Sequence, residues 1–286
     1  MPAQLVDGKG IATAIRRQVQ AETETLAAKT GRPPGLAVIL VGEDPASATY
    51  VRNKGKACEE VGIRSVQITR PANASREELL DILHGLNKDE AIDGILVQLP
   101  LPPHIGERSI LETVDPAKDV DGFHPSNLGG LLTGNPLFVA STPLGIMEVL
   151  DRFRVAIEGK HAVIVGWSTI VGKPTAFLLL ERRATVTVCQ EWTRNLDHHT
   201  RQADILVVAA GKPGLVTGDM VKDGAVVVDV GINRVEGRLV GDVDFASVYP
   251  KASLITPVPG GVGPLTVAML LKNTLIAYKR RMSPKR

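Results

Sequence analysis

Short runs of hydrophobic, mostly β-branched residues alternate along this chain with longer amphipathic segments. The runs read LAVILVG, SVQIT, GILVQLP, HAVIVG, ATVTVC, DILVVAAG, AVVVDVG and SLITPV. Strand-length runs that are separated by helix-length segments are typical of βαβ units. The pattern therefore predicts an α/β fold with a mainly parallel sheet.

A long turn-rich stretch separates the first three runs from the others. It reads PLPPHIGERSILETVDPAKDVDGFHPSNLGGLLTGNP and is rich in Pro, Gly, Asp and Asn. A loop of this length inside a compact protein is usually functional. We therefore predict one α/β domain over residues 1–140 and a second over residues 141–264, joined near STPLG. The final helix, within residues 265–286, has a broad apolar face that either domain could cover.

The segment DPASATYVRNKGKACEEVG is predicted to be a helix with well-marked ends. Asp44 is a suitable N-cap, Pro45 suits the first helical position and Gly62 is a stop signal. Steps of three and four residues define one face, which should point inward and consists of Ser47, Tyr50, Lys54, Cys58 and Val61. A lysine in such a stripe either packs its stem with the ammonium group in water or is a functional amine.

Three further polar residues lie in segments that could approach Lys54. Gln98 interrupts the apolar run GILVQLPLP, while Asp119 and Asp121 lie in the turn DVDG. Taken singly, Gln98 could be an edge residue and Asp121 part of an Asx-turn. Together with Tyr50 and Lys54, they could line one pocket at the carboxyl ends of the strands, where open α/β sheets bind ligands.

Composition narrows the class of protein. Aromatic residues make up only 3% of the chain, which argues against a base-stacking nucleic-acid platform, and the 33 basic and 31 acidic residues are mixed along it. The basic tail YKRRMSPKR is interpreted as a solvated end. Two cysteines, Cys58 and Cys189, form neither a CxxC motif nor a disulfide framework, so no metal site is predicted. Because no signal peptide or membrane-length apolar run is present, we expect a cytoplasmic protein that binds neither membrane nor nucleic acid.

The segment GKHAVIVGWSTIVGKPTAFLLLERRATVTVC predicts a strand, a glycine turn, a helix and a second strand. Gly166, Ser168 and Gly172 form a GxSxxxG pattern at the turn and helix start. Such a turn either serves only close packing of strand and helix or presents its backbone N–H groups to a pyrophosphate. Its place between a strand and a helix favours dinucleotide binding, and Glu191, at the tip of the second strand, could accept ribose hydroxyls or be a surface charge.

Seven motifs stand along the chain, namely SATYVRNK, GILVQLPLP, DPAKDVDGFHPSNLG, VGWSTIVGKP, VVVDVGIN, GDVDF and TPVPGGVGPLT. Together, in their order and spacing, they resemble the methylenetetrahydrofolate dehydrogenase/methenyltetrahydrofolate cyclohydrolase family. The resemblance covers almost the whole chain. It implies a homodimer of one-carbon metabolism and purine biosynthesis, with a catalytic N-terminal domain that the C-terminal helix completes, a Rossmann-type doubly wound parallel sheet and a folate cleft between the two domains.

The resemblance also implies roles for individual residues. Tyr50, Lys54, Gln98 and Asp121 match the catalytic motif, with Lys54 managing protons, Gln98 and Tyr50 orienting it, and Asp121 gripping the pterin. The implied substrate-binding residues are Tyr50, Val97, Gln98, Leu99, Asp121, Pro259, Gly260 and Gly261. The implied cofactor-binding residues are Thr142, Gly166, Trp167, Ser168, Gly172, Glu191, Ala210, Gly211, Ile232 and Thr266.

The chain departs from the family pattern where the 2'-phosphate of NADP is usually held. Trp167 stands where the family commonly has arginine, and Gln190 and Glu191 stand where it has histidine and a small hydroxyl residue. A carboxylate repels a phosphate but can accept both ribose hydroxyls of NAD, so we hypothesise a shift from NADP toward NAD. Arg194 could instead turn inward and hold the phosphate. Ser141 replaces a cysteine of the family, and we expect little change from it.

Three alternative functions are compatible with parts of the sequence. The dehydrogenase activity could be lost while the cyclohydrolase remains. A different two-domain NAD(P) oxidoreductase, such as a shikimate or amino-acid dehydrogenase, would share the second domain but would not require VQLPLP or DVDGFHP. A catalytically silent folate or dinucleotide binder is disfavoured, since binding alone needs no inward-facing amine.

Overall fold

The structure, a computed structural model, describes residues 2–282; the last residues of the basic tail, 283–286, lie outside the described part. The strands are β1 (Gln4–Leu5), β2 (Gly35–Val41), β3 (Arg64–Arg70), β4 (Gly94–Val97), β5 (His161–Val165), β6 (Thr185–Cys189), β7 (Ile205–Val208), β8 (Val226–Asp229), β9 (Asn233–Val235), β10 (Arg238–Val240) and β11 (Leu254–Ile255). The helices are α1 (Gly8–Thr30), α2 (Pro45–Glu60), α3 (Arg76–Lys88), α4 (Glu107–Thr113), α5 (Pro125–Leu132), α6 (Ser141–Arg152), α7 (Gly172–Glu181), α8 (Leu196–Thr200), α9 (Phe245–Val248) and α10 (Val262–Met282). Every strand that the hydrophobic runs predict is present.

The chain forms two compact α/β units. One unit contains residues 13–141 and 267–282 and is called the three-stranded unit after its sheet; the other contains residues 2–12 and 142–266 and is called the six-stranded unit. The sequence-based boundaries assigned the chain start to the first domain instead. β1 explains the difference, because it pairs in parallel with β11 at the edge of the six-stranded sheet. A strand of two exposed residues has no periodic pattern that could reveal this pairing.

The three-stranded unit is built on a parallel sheet in the order β3-β2-β4. All seven residues of β2 are buried, as expected for a central strand of a parallel sheet. The C-terminal part of α10 belongs to this unit: Asn273 Nδ2 donates to the carbonyl oxygens of Val120 at 2.8 Å and Val139 at 3.0 Å. The helix therefore holds the backbone of the turn-rich region in place.

The turn-rich region contains more regular secondary structure than the sequence predicts, because α4 and α5 lie within it. In α5, Pro125 occupies the first position and the His124 Nδ1 atom accepts a hydrogen bond from Ser126 N at 3.0 Å. Helices of seven and eight residues offer too few positions for a clear 3.6-residue period. Prediction of this region as a loop was wrong for that reason.

The six-stranded unit is built on a parallel sheet in the order β1-β11-β8-β7-β5-β6. Strand order reverses at β5, which has β6 on one side and β7 on the other. The crevice at such a reversal is where doubly wound sheets bind their ligands. The hairpin of β9 and β10 was not predicted, since its strands have only three residues each.

Within residues 2–282, no helix combines the length and hydropathy that crossing a membrane requires.

Candidate active site

The α2 helix that carries the candidate lysine begins and ends as its sequence predicts. Asp44 caps it by accepting a hydrogen bond from Ser47 N at 2.7 Å, and Pro45 is its first residue. After Glu60 the chain leaves the helix, and Gly62 adopts a positive φ of 73°. These local signals fix the register of the helix and therefore which residues face the sheet.

The face of α2 predicted to point inward does so except at Tyr50. Ser47, Cys58 and Val61 are buried and Lys54 is half-buried, whereas Tyr50 is 43% exposed. At about 100° per residue, Tyr50 lies about 60° from Ser47, at the edge of the stripe. The expectation of an inward Tyr50 was wrong because the buried stripe is narrower than the set of residues assigned to it.

Lys54 forms a defined contact with Gln98, which follows β4. The Lys54 ammonium donates to Gln98 Oε1 at 3.0 Å, while Gln98 Nε2 donates to the Leu99 carbonyl at 2.8 Å. The second hydrogen bond orients the amide so that its oxygen faces the amine. Val97, just before Gln98, is buried and Leu99 is half-buried, so an apolar strand end holds the amide. Two of the four predicted catalytic residues thus meet directly.

Burial and a neighbouring carboxyl group set the protonation of Lys54. Burial lowers the pKa of the Lys54 amine, and the negative charge of Asp121 partly opposes that shift. Burial likewise raises the pKa of Asp121 to about 6, against the opposing effect of Lys54. An amine whose pKa is lowered toward neutrality can accept and donate protons, so this pair has the properties of an acid–base site.

Asp119 and Asp121 both lie in the DVDG turn, but their carboxyl groups have different neighbours. Asp119 Oδ2 accepts hydrogen bonds from His124 N at 2.8 Å and Asn127 Nδ2 at 2.7 Å. The turn continues through Gly122, where φ is +70° and a Cβ would lie 2.8 Å from Ala140 N. Asp119 therefore holds the turn, which leaves Asp121 as the carboxyl group beside Lys54.

A cavity of about 410 Å³ opens at the carboxyl ends of β5, β6 and β7 in the six-stranded unit. It is called the crevice pocket below. Its lining consists of Val165, Gly166, Trp167, Ser168, Gln190, Glu191, Trp192, Thr193, Leu196, Ala209, Ala210, Lys212 and Leu215. Among these are five of the predicted cofactor-binding residues, namely Gly166, Trp167, Ser168, Glu191 and Ala210.

Glycines in the GxSxxxG turn are required by close backbone contacts. Gly166 has a φ of +121°, and a Cβ there would lie 2.1 Å from the Ala209 carbonyl oxygen. A Cβ on Gly172 would lie 2.0 Å from the Gly166 carbonyl oxygen, so Gly172 serves the packing of α7 on the turn. Ser168 Oγ accepts from Val171 N at 3.1 Å and so shapes the start of that helix. The packing interpretation thus holds for Gly172, while Gly166 and Ser168 also line the pocket.

The remaining predicted cofactor-binding residues lie outside the pocket lining. Gly211 N donates to Asp242 at 2.8 Å, and Ile232 is exposed. The Thr142 and Thr266 hydroxyl groups are hydrogen-bonded to each other at 2.9 Å. With Gly172, these residues are not brought to the crevice pocket, and a role for them in cofactor binding stays a prediction.

Sequence reasoning missed Asp242, which shapes one wall of the pocket. Its buried carboxylate accepts hydrogen bonds from Ala210 N at 2.6 Å, Gly211 N at 2.8 Å and Asn233 Nδ2 at 2.8 Å. Its own N–H donates to buried Asp229 at 3.0 Å. The motif GDVDF contains Asp242, but only the fold reveals that it reaches the turn after β7.

The PGGVGP segment, from Pro259 to Pro264, makes a tight turn into α10. Gly260 has a φ of +106°, and a Cβ on Gly261 would lie 2.5 Å from the Pro257 carbonyl oxygen. A Cβ on Gly8 would lie 1.8 Å from the Gly261 carbonyl oxygen. The start of α1 therefore packs directly on this turn, and glycine is required on both sides of the contact.

The crevice pocket has the parts that a dinucleotide requires. It combines a turn with glycine at position 166, a carboxylate at the tip of the next strand and apolar side chains from Leu196 and Leu215. These residues fit NAD(P). The fold and the two candidate sites thus define a class: a two-unit α/β enzyme with a candidate dinucleotide pocket in the six-stranded unit and a candidate acid–base site in the three-stranded unit.

Comparison with known proteins identifies the family within this class. Residues 6–121 match the model of the tetrahydrofolate dehydrogenase/cyclohydrolase catalytic domain, and residues 140–282 match the NAD(P)-binding domain of the same family. The chain belongs to the tetrahydrofolate dehydrogenase/cyclohydrolase family.

Individual members of the family are similar to this chain over nearly its full length. The bifunctional protein FolD of Halothermothrix orenii is 59% identical over 278 residues, which cover 96% of this chain and 98% of that protein. The crystal structure of the bifunctional FolD enzyme from Campylobacter jejuni has a TM-score of 0.96 and 51% identity, covering 98% of this chain and all of that one. The Trypanosoma brucei enzyme, solved with NADP cofactor and an inhibitor, has a TM-score of 0.94 and 44% identity, covering 98% of each chain.

Proposed function

We propose that this protein oxidises 5,10-methylenetetrahydrofolate to 5,10-methenyltetrahydrofolate with NAD(P) and then hydrolyses that product to 10-formyltetrahydrofolate. Family membership supports both activities. The observation that carries the second activity is the half-buried Lys54 amine hydrogen-bonded to Gln98, because hydrolysis requires a group that moves protons. Bound NAD(P) supplies the acceptor for the hydride of the first step.

Lys54 is proposed to manage the protons of hydrolysis. Water adds to the cationic methenyl carbon and gives a proton to the neutral Lys54 amine. The bond from that carbon to N5 of the folate then breaks as N5 takes the proton back from the Lys54 ammonium. The hydroxyl group on the carbon loses its own proton and becomes the carbonyl of the formyl group on N10, so one proton is released overall. The lowered pKa of Lys54 supports this role, since it increases the fraction of amine that can accept a proton.

The other predicted residues are proposed to position the lysine and the substrate. Gln98 orients the Lys54 amine, and Asp121 accepts hydrogen bonds from the amino-pyrimidine edge of the pterin. Tyr50, exposed on the same helix, is proposed to contact the folate directly rather than Lys54. Val97, Leu99, Pro259, Gly260 and Gly261 keep their proposed roles as substrate contacts.

NAD is the proposed cofactor in preference to NADP. Glu191 is exposed at the crevice pocket, where a carboxylate would repel a 2'-phosphate and accept the two hydroxyl groups of an unmodified ribose. The test follows methenyl formation optically in parallel reactions with NAD and with NADP, and then its decay by hydrolysis. We expect NAD to be preferred and Glu191→Ser to narrow the preference by about tenfold.

Each other outcome of this assay has a definite meaning. A clear preference of the unmodified protein for NADP would contradict the role of Glu191. Hydrolysis of added methenyl substrate without turnover on either cofactor would mean that the dehydrogenase activity is lost. Gln190→Ser is the matched control, since Gln190 lines the same pocket without charge.

A homodimer in the cytoplasm is the proposed state of the protein. The family resemblance supports the dimer, and the two cysteines, both buried and unpaired, are consistent with a reducing compartment. Light scattering coupled to gel filtration would test the dimer, and a monomer mass at micromolar concentration would contradict it.

A further inference from the structure

Both tryptophans of this chain, Trp167 and Trp192, line the crevice pocket. Trp192 is 79% exposed and Trp167 is 42% exposed. An indole ring is mostly apolar and loses the benefit of burial when it stands in water. Two exposed indoles at one pocket therefore point to a ligand that covers them.

Trp192 projects from a tight turn rather than from a loose loop. The turn is closed by two hydrogen bonds, from Thr193 N to the Gln190 carbonyl oxygen at 2.9 Å and from Gln190 N to Thr193 Oγ1 at 2.8 Å. Glu191 and Trp192 occupy the two central positions of this turn. Both side chains line the crevice pocket, so a group that Glu191 binds there shares that pocket with the indole of Trp192.

The two indole rings differ in what already touches them. The Lys173 ammonium lies 5.3 Å from the centroid of the Trp167 ring, which is a cation–π contact. Across the described chain, Trp192 makes no ring-stacking or cation–π contact of this kind. Trp192 thus offers an open aromatic face, while Trp167 is already engaged.

The crevice pocket also offers apolar side chains besides the two indoles. Leu196 and Leu215 line it and pack at the same time against the core of the six-stranded unit. A planar aromatic ligand could contact these leucines and stack on the indole. In a dinucleotide, the adenine ring is attached to the ribose for which Glu191 is the proposed partner.

We propose that Trp192 is the stacking platform for the adenine ring of the dinucleotide and thereby determines affinity for the adenosine half. This inference rests on the proposed function, because it assumes that NAD(P) occupies the crevice pocket. Stacking of a base on an aromatic side chain corresponds to a change in Kd of about 5- to 100-fold.

Calorimetric titration of the full-length protein with ADP-ribose tests the proposal, since ADP-ribose carries adenine but no nicotinamide. We expect Trp192→Ala and Trp192→Leu to weaken binding by about 5- to 100-fold, and Trp192→Phe to restore most of it. Leucine keeps an apolar side chain without a ring, so the Trp192→Leu variant distinguishes aromatic stacking from a general hydrophobic contact. An unchanged Kd for Trp192→Ala, or wild-type binding by Trp192→Leu, would overturn the proposal.

Tryptophan fluorescence provides a readout that does not depend on turnover. Because Trp167 and Trp192 are the two tryptophans of the chain, quenching by ADP-ribose reports on this pocket alone. We expect Trp192→Phe to lose most of the quenching and Trp167→Phe to keep it, and the reverse result would assign the stacking to Trp167.

These measurements distinguish an error in the role of Trp192 from failure of the proposed dehydrogenase function. If the wild-type protein oxidises methylenetetrahydrofolate with NAD(P) but Trp192→Ala binds ADP-ribose normally, only the role of Trp192 is wrong. If the wild-type protein binds neither ADP-ribose nor NAD(P), the proposed dehydrogenase function fails as well. Thermal melting of each variant serves as the folding control, and the exposed position of Trp192 predicts no large change.

Discussion

The acid–base site and the crevice pocket place their key side chains in opposite environments. Lys54 and Asp121 are partly withdrawn from water and have shifted pKa values, whereas Glu191 and Trp192 stand exposed. Proton transfer near neutral pH requires a group whose pKa has been moved by burial and by charge. Recognition of a large ligand requires surfaces that the ligand itself will cover. In this protein the groups proposed to transfer protons are withdrawn from water, and the groups proposed to bind the dinucleotide are exposed.

Removal of the Lys54 amine should have the largest effect. Lys54→Ala is expected to lower the rate of methenyl hydrolysis by about 10²- to 10⁴-fold, because a positioned acid–base group contributes that much. The absorbance decay of methenyltetrahydrofolate measures it. Lys56→Ala, two residues further along the same helix and exposed, is the matched control and should hydrolyse normally. Full hydrolysis by a folded Lys54→Ala protein would remove Lys54 from its proposed role.

Substitution of Asp242 tests whether the crevice pocket depends on a single buried carboxylate, as the proposed acid–base site depends on Lys54. Asp242→Asn replaces a carboxylate oxygen, which accepts from two backbone N–H groups, with an amide that can present a donor to them. The expected loss in free energy of unfolding is about 1–3 kcal/mol, with weaker ADP-ribose binding. Urea denaturation and calorimetry measure both. Asp223→Asn, at an exposed site, is the control, and equal stability of the two variants would contradict this role.

A change at Gln98 should shift the pH dependence of hydrolysis. In Gln98→Glu, a carboxylate takes the place of an amide oxygen that lies 3.0 Å from the Lys54 nitrogen. A negative charge there favours the ammonium form and raises the pKa of Lys54, so the rising limb of the pH–rate profile should move to higher pH. Asp121→Asn should move it to lower pH, because the Asp121 charge raises the pKa of Lys54. Shifts of kcat profiles in the same direction would refute this electrostatic account.

The smallest effect should appear in the stability of the folded state as pH changes. Burial raises the pKa of Asp121 to about 6 from an ordinary value of 3.8. Between these two pH values the folded state binds more protons than the unfolded state, so the contribution of Asp121 to stability falls as pH rises from 4 to 6. Asp121→Asn should therefore gain stability relative to the wild type between pH 4 and pH 7. Urea denaturation at both pH values measures this difference, and a constant difference would contradict the shift; Asp81→Asn, at an exposed site, is the control.

Local patterns in the sequence were sufficient to predict much of the fold and part of both sites. The ends of α2 follow from Asp44, Pro45 and Gly62, since capping and glycine conformation act over a few residues. Apolar runs in the sequence predicted every strand of four or more residues. Glu191 at a strand tip and the glycine turn at Gly166 were identifiable because each lies at a fixed distance from a strand end.

Tertiary structure alone decided the features that depend on partners far away in the chain. β1 is a strand only because β11 accepts it, and Asp242 shapes the crevice pocket only because the fold brings it to the turn after β7. Tyr50 is exposed although its spacing matches the buried stripe, because the neighbouring elements cover a narrower face. The lowered pKa of Lys54 likewise comes from burial and from Asp121, 67 positions further along the sequence. Desolvation and long-range contacts depend on residues that are far apart in the sequence, so no local sequence pattern predicts them.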